Sequence, residues 1–231
     1  MIKALFSRCG GLCRGLLGLL MLAALPASAG TLHAELVDRQ GQPLADAVVS
    51  LRGPLGQPGV VPTAIMDQVA RQFAPSVLAV RSGTRVSFPN SDNIRHQVYS
   101  FSPSKRFELR LYQGTPSEPV LFDQPGVVVL GCNIHDWMVG YVYVTDDPWF
   151  AVSDDRGQLR LDALPAGRYA VTLWHPGLKD RIPLASGEVV MGEQDLQQRF
   201  ALALVTDAVA PPTPAASAFG EAFRKATRAP E

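Results

Sequence analysis

The chain has 231 residues, 21 basic side chains against 21 acidic ones, and 47% apolar residues. This balance excludes a whole-chain electrostatic footprint for nucleic acid or for an anionic membrane surface. The length is enough to bury one real core or two.

Residues 1–29 carry a basic start (Lys3, Arg8, Arg14), an apolar stretch and the small-residue ending Ala27-Ser28-Ala29. That order reads as a secretory signal peptide cut after Ala29. Lipoprotein processing at Cys9 or Cys13 is the alternative, although neither cysteine follows the usual run of leucine and small residues. Cleavage leaves three more acidic than basic side chains, no further segment long enough to cross a bilayer, and Cys132 as the one remaining cysteine. The expected location is the periplasm.

The mature sequence alternates with period two, is rich in β-branched residues and is punctuated by Gly and Pro, which predicts an all-β protein. In chain order the candidate strands are "TLHAELVD", "DAVVSL", "SVLAV", "TRVSFPN", "HQVYSF", "FELRLY", "GVVVLGC", "GYVYVTD", "QLRLDAL" and "RYAVTLWH". The cluster Lys105, Arg106 and Arg110 reads as a solvated strand face, with an acidic partner as the other use. Residues 206–231 are Ala/Pro-rich and read as a disordered tail with one short helix at 217–227.

The chemistry concentrates in "GCNIHDWMVG", residues 131–140, where Cys132, His135 and Met138 recur every three residues between two apolar runs. An unpaired cysteine in an exported protein implies intermolecular pairing, a reactive thiol or a metal ligand, unless it is simply a small buried hydrophobe. A thiolate, an imidazole and a thioether on one strand-to-strand loop can converge, and they need a fourth ligand from elsewhere. His33, His96 and His175 are available, and His96, between "TRVSFPN" and "QVYSF", is the natural choice; His33 and His175 read as structural or surface residues. Methionine is a poor zinc ligand and one cysteine cannot hold an iron–sulfur cluster, whereas two histidines, a cysteine and a weak axial methionine describe a blue-copper electron-transfer site.

On these residues the stretch 57–148 resembles a cupredoxin. Cys132-x-x-His135-x-x-Met138-x-Gly140 has the spacing of the amicyanin ligand loop, "GVVVLGC" is similar to the strand that approaches it, and "SGTRVSFPN" is similar to the strand before the first histidine ligand. The resemblance implies a Greek-key sandwich with one type 1 copper bound by His96, Cys132, His135 and Met138. It also implies redox proteins as partners. Trp137 and Val139 then belong either to the docking surface or, for Trp137, to ordinary packing over the site. Two positions depart from the pattern. Gln97 stands where the family has an Asn that ties the ligand loops, a link left to Asn90 or Asn93. Asp136 stands where it has a proline, and a carboxylate there is expected to raise the pKa of His135.

"LHAELVDRQGQPLADAVVSL" (32–51) and "VSDDRGQLRLDALPAGRYAVTLWHPG" (152–177) each resemble part of a carboxypeptidase-regulatory-like or transthyretin-like β-sandwich. That implies a small sandwich split into 30–56 and 149–205, with the cupredoxin inserted into it or following it. Residues 31–52 serving as edge strands of the middle domain is the rival arrangement. The whole is similar to chains described as methylamine-utilisation proteins, though no residue here points to methylamine chemistry. The expected function is that of an exported, monomeric electron carrier and not an enzyme. Periplasmic copper storage or partner docking at a mononuclear site is the alternative, and a copper enzyme is disfavoured because only His33 and His175 remain for a second centre.

Overall fold

The first strand, β1 (Ala29–Asp38), buries Leu32, Ala34 and Leu36 and turns His33 and Glu35 outward, the period-two pattern of a half-buried strand. The computed structural model describes residues 29–53, 63–116 and 118–205, so the expected signal peptide 1–29, apart from its last residue Ala29, and the expected tail 206–231 lie outside the described residues. Among these residues every regular element is a strand except one 3-10 turn at Lys179–Arg181. The all-β expectation holds.

β1 lies between β14 (Gln158–Pro165, antiparallel) and β17 (Leu196–Leu202, parallel). β2 (Val48–Arg52) lies between β13 (Trp149–Val152) and β15 (Gly167–Trp174), with β16 (Leu184–Met191) beyond. The two strands that open the described chain therefore take their partners from the five that close it, and not from the strands between. Their inner faces meet in one core built on Leu32, Leu36, Leu51, Tyr169, Val171, Leu173 and Phe200. β13, β16 and β17 were not evident in the sequence. β16 buries only Val189 and Met191, and Gly187 interrupts it with φ +79°, so its alternation is faint.

The intervening strands form a second layered unit. β3 (Thr63–Ile65), β7 (Thr84–Ser87) and β10 (Val120–Phe122) make one sheet. β6 (Val77–Arg81), β8 (His96–Ser102), β9 (Lys105–Tyr112), β11 (Gly126–Cys132) and β12 (His135–Thr145) make the other, in the order β6-β12-β11-β8-β9. The hairpin of β4 (Asp67–Val69) and β5 (Gln72–Ala74) lies beside β12. Val86, Phe88 and Phe122 face Val98, Val128, Leu130 and Val142 across a second core.

β6 and β12 belong to both cores. Val80, Val142 and Val144 point into the second, while their neighbours Val77 and Tyr143 point into the first. Trp174, fully buried, meets Tyr141 and Tyr143 at ring-centroid distances of 5.6 and 5.7 Å and donates its indole N–H to the Arg181 carbonyl at 2.9 Å. Each such aromatic pair adds about 0.5–1.5 kcal/mol beyond the area it buries. Just past β12, the buried Asp147 accepts the Ser50 hydroxyl at 2.6 Å and Arg52 Nε at 2.9 Å, fastening the strand end to β2.

Candidate metal centre

β11 and β12 form a hairpin turning at Asn133 and Ile134, which is tighter than the loop expected from the sequence. Gly131 pairs with Val139, and Cys132 pairs with His135. Asp136, Trp137 and Met138 consequently have no opposite residue, and this bulge breaks the simple in-out alternation. Met138 lies 1% exposed in the same buried cluster as Cys132, Leu130 and Val142, while Trp137 stays at the surface. Phe73 of β5 closes over Gly140, where an added Cβ would approach the ring to 2.8 Å, so the hairpin is sealed from that side.

The second strand pair delivers His96. Asn90 closes the turn before it, donating from Nδ2 to the carbonyls of Ile94 at 2.8 Å and Tyr112 at 3.0 Å. Its Oδ1 accepts the Asp92 amide at 3.1 Å. Beside this turn the Tyr112 hydroxyl donates to the Phe88 carbonyl at 2.6 Å and accepts from Gln68 Nε2. Burial pushes that phenol up to about 12, so it remains a donor. His96 is the first residue of β8 and is fully buried.

Three of the four expected ligands meet. Cys132 Sγ lies 3.8 Å from His96 Nδ1 and 3.7 Å from His135 Nδ1, and the three ligand atoms fall within 4.8 Å of one another. Bonds of about 2.0 Å to nitrogen and about 2.3 Å to thiolate sulfur, opened to about 120° in a trigonal His2Cys site, separate nitrogen from sulfur by about 3.7 Å. The observed spacing therefore suits a single ion, the thiolate among its donors is soft, and Met138 is buried in the same cluster as Cys132.

The surroundings correct two expectations. Asn90 and Asn93 do not tie the ligand loops: Asn90 joins the turn before His96 to the end of β9, Asn93 is exposed, and Gln97 donates to Glu108 across β8 and β9 at 2.6 Å. Asp136 does not set the charge state of His135 either. Burial pushes this imidazole below its ordinary value, His96 and Arg71 push it the same way, and the carboxylate that opposes them is Asp92. Asp136 is exposed on the solvent side of the bulge. Sequence reasoning missed Asp92 altogether, although an acid four residues before a ligand histidine was there to be read. Its Oδ2 lies 2.7 Å from His96 Nε2. Burial pushes the Asp92 carboxyl up, but hydrogen bonds from Arg71, His96 and Ala70 outweigh this and hold it below its ordinary value.

In the hairpin that carries His135, the apolar residues Ile134, Trp137 and Val139 are 50%, 37% and 42% exposed, and the Trp137 ring centroid lies 5.2 Å from that of His135. Lys105 reaches Asp123 at 3.8 Å, and Arg106 and Arg110 lie on the exposed side of β9. His33 sits at the surface, 3.6 Å from Asp195. His175 is structural: its Nε2 lies 3.1 Å from the Ala45 carbonyl, and its Nδ1 accepts the Gly177 amide at 2.9 Å.

The molecule is thus an all-β protein with a His–Cys–His group, buried at His96 and Cys132 and half-buried at His135, spaced for one metal ion. Solved structures it is similar to include cupredoxins and a copper-containing enzyme. A purple cupredoxin from Nitrosopumilus maritimus is 24% identical over 36% of this chain and 99% of its own, with a TM-score of 0.32. A reduced Cu(I) form of an amicyanin variant is 16% identical over 42% of this chain and 98% of its own, with a TM-score of 0.33. A copper-containing nitrite reductase from Thermus scotoductus SA-01 is 24% identical with a TM-score of 0.35, the match covering 48% of this chain and 28% of the reductase. No family model and no curated protein matches the sequence.

Proposed function

We propose that this protein is an exported carrier of single electrons, built on one type 1 copper held by His96, Cys132, His135 and Met138. The observation that carries the reading is the convergence of two imidazole Nδ1 atoms on one buried Sγ at 3.7–3.8 Å. Copper bound there would accept and return one electron without substrate chemistry. The chain's own residues do the rest. Cys132, 3% exposed, is screened from oxidants, and the second core excludes water from the inner side of the site. The half-buried His135, with the exposed Trp137 ring 5.2 Å away, offers a redox partner an apolar contact beside a proposed ligand.

We assign the carrier to residues 57–148, set between the two parts 30–56 and 149–205 of a transthyretin-like sandwich, and place the mature protein in the periplasm as a monomer. The pairing of β1 with β14 and β17, and of β2 with β13 and β15, favours this arrangement. Only surface His33 and structurally committed His175 are left over, which favours a carrier over an enzyme with a second copper centre. Copper titration of the metal-free protein with optical and EPR spectra is the test. One equivalent giving an intense thiolate-to-copper band supports the reading; no uptake and no colour removes it.

A further inference from the structure

His96 is fully buried, and the partner that meets its Nε2 is Oδ2 of Asp92 at 2.7 Å. The same carboxylate accepts the amide of Ala70 on Oδ1 at 2.7 Å and the amide of Arg71 on Oδ2 at 2.9 Å. Three N–H groups from two chain segments thus converge on one side chain. Ala70 and Arg71 both have left-handed backbone, φ 52° and 60°, which L side chains adopt reluctantly. The carboxylate holds that turn in place, and the turn prevents the carboxylate from swinging away from His96.

An ionised carboxylate accepts hydrogen bonds and donates none. His96 therefore carries a proton on Nε2, and as a neutral imidazole it turns the Nδ1 lone pair toward Cys132 Sγ. We propose that Asp92 is a positioning residue that fixes His96 as the Nε2–H tautomer and strengthens Nδ1 as a donor, more for Cu(II) than for Cu(I). As Nδ1 gives electron density to a cation the Nε2 proton becomes more acidic, and its bond to the carboxylate tightens with the charge on the ion. Asp92 thereby lowers the reduction potential of the site. This rests on the copper reading above, but the tautomer it predicts exists without metal.

Asp92→Asn is the direct perturbation. An amide offers one acceptor oxygen where the carboxylate uses two, so either His96 or a backbone N–H of the turn faces a donor. In the metal-free protein, 15N NMR of the His96 ring is expected to show the proton on Nε2, and the variant to shift it toward Nδ1. In the copper-loaded protein Cu(II) affinity is expected to fall about tenfold or more, the usual effect of losing the outer partner of a ligating imidazole. Tenfold on the oxidised state alone is about 59 mV more positive.

A second variant separates positioning from turn-holding: Asp92→Asn with Ala70→Gly and Arg71→Gly, in which glycine supplies the left-handed turn without the carboxylate. A potential that stays raised supports the proposal; one that returns to the wild-type value overturns it, because Asp92 then only holds the turn. A wild-type His96 protonated on Nδ1 also overturns it. A protein that binds no copper but shows the Nε2–H tautomer would remove the electron-carrier reading and still support Asp92's hold on His96.

Discussion

Replacing Met138 by leucine and by alanine separates its role in the core from its proposed role at the metal. The side chain is 1% exposed and touches the cluster that includes Leu130, Cys132 and Val142. Leucine nearly conserves its volume in an apolar site and is expected to cost less than about 1.5 kcal/mol. Alanine removes three heavy atoms from the same place and costs about 2–5 kcal/mol, the upper end applying if the hairpin over Phe73 cannot collapse. Urea unfolding of the metal-free proteins followed by circular dichroism reads this difference directly. At the metal the two variants are alike, since both lack the thioether. An axial ligand tunes the potential of a His2Cys copper site, so both are expected to move the potential in the same direction while the thiolate-to-copper band survives. A leucine variant with the wild-type potential and EPR spectrum would refute this reasoning and leave Met138 a core residue only.

Cys132→Ser removes the soft thiolate and is expected to abolish the intense visible band while the urea midpoint of the metal-free protein changes little; a persistent band would exclude Cys132 as the donor. Trp174→Ala empties a fully buried site of the first core, against the β12 tyrosines, and is expected to cost about 3–5 kcal/mol. Its unfolding, by circular dichroism and tyrosine fluorescence together, should remain a single transition at lower urea, and an unchanged midpoint would contradict the joint wall. His175 is held below its ordinary value of 6.5 by burial, against the upward pull of the Ala45 carbonyl and Asp46. Because the folded value is depressed, its stabilisation is fully present above 6.5 and is lost as pH falls through the folded value. The urea midpoint should decline from pH 7 toward pH 5 more steeply than in His175→Gln, and parallel curves would refute the assignment.

What the sequence made legible was whatever is periodic or locally spaced. Ten strands could be read because alternate residues are apolar, and Cys132, His135 and Met138 because three residues separate each pair. His96 followed from the chemistry of a fourth donor, and it does lie against Cys132 Sγ. β16 escaped because only two of its eight residues are buried. Asp92 escaped for a different reason: its work depends on Ala70 and Arg71, more than 20 residues earlier, arriving at its carboxylate. Periodicity carries no information about such a meeting. Asp136 misled for the same reason, since adjacency in the chain put a carboxylate next to His135 while the bulge turned it to solvent.

The run Tyr141-Val142-Tyr143-Val144 shows where a local signal ends and a tertiary one begins. It has no polar residue on either face, which is what a strand covered on both sides requires. The valines find the second core, and the tyrosines find Trp174 and the first. The sequence therefore contained the statement that β12 has two apolar neighbours, without saying what they are. That double burial bears on the metal site, because β12 begins at His135 and carries Met138. A strand clamped by two cores over Tyr141–Val144 cannot slide relative to β11, so Cys132 and His135 keep their register. Loosening the wall at Trp174 is accordingly expected to broaden the EPR lines of the copper-loaded protein, although no atom of Trp174 lies among the proposed ligands.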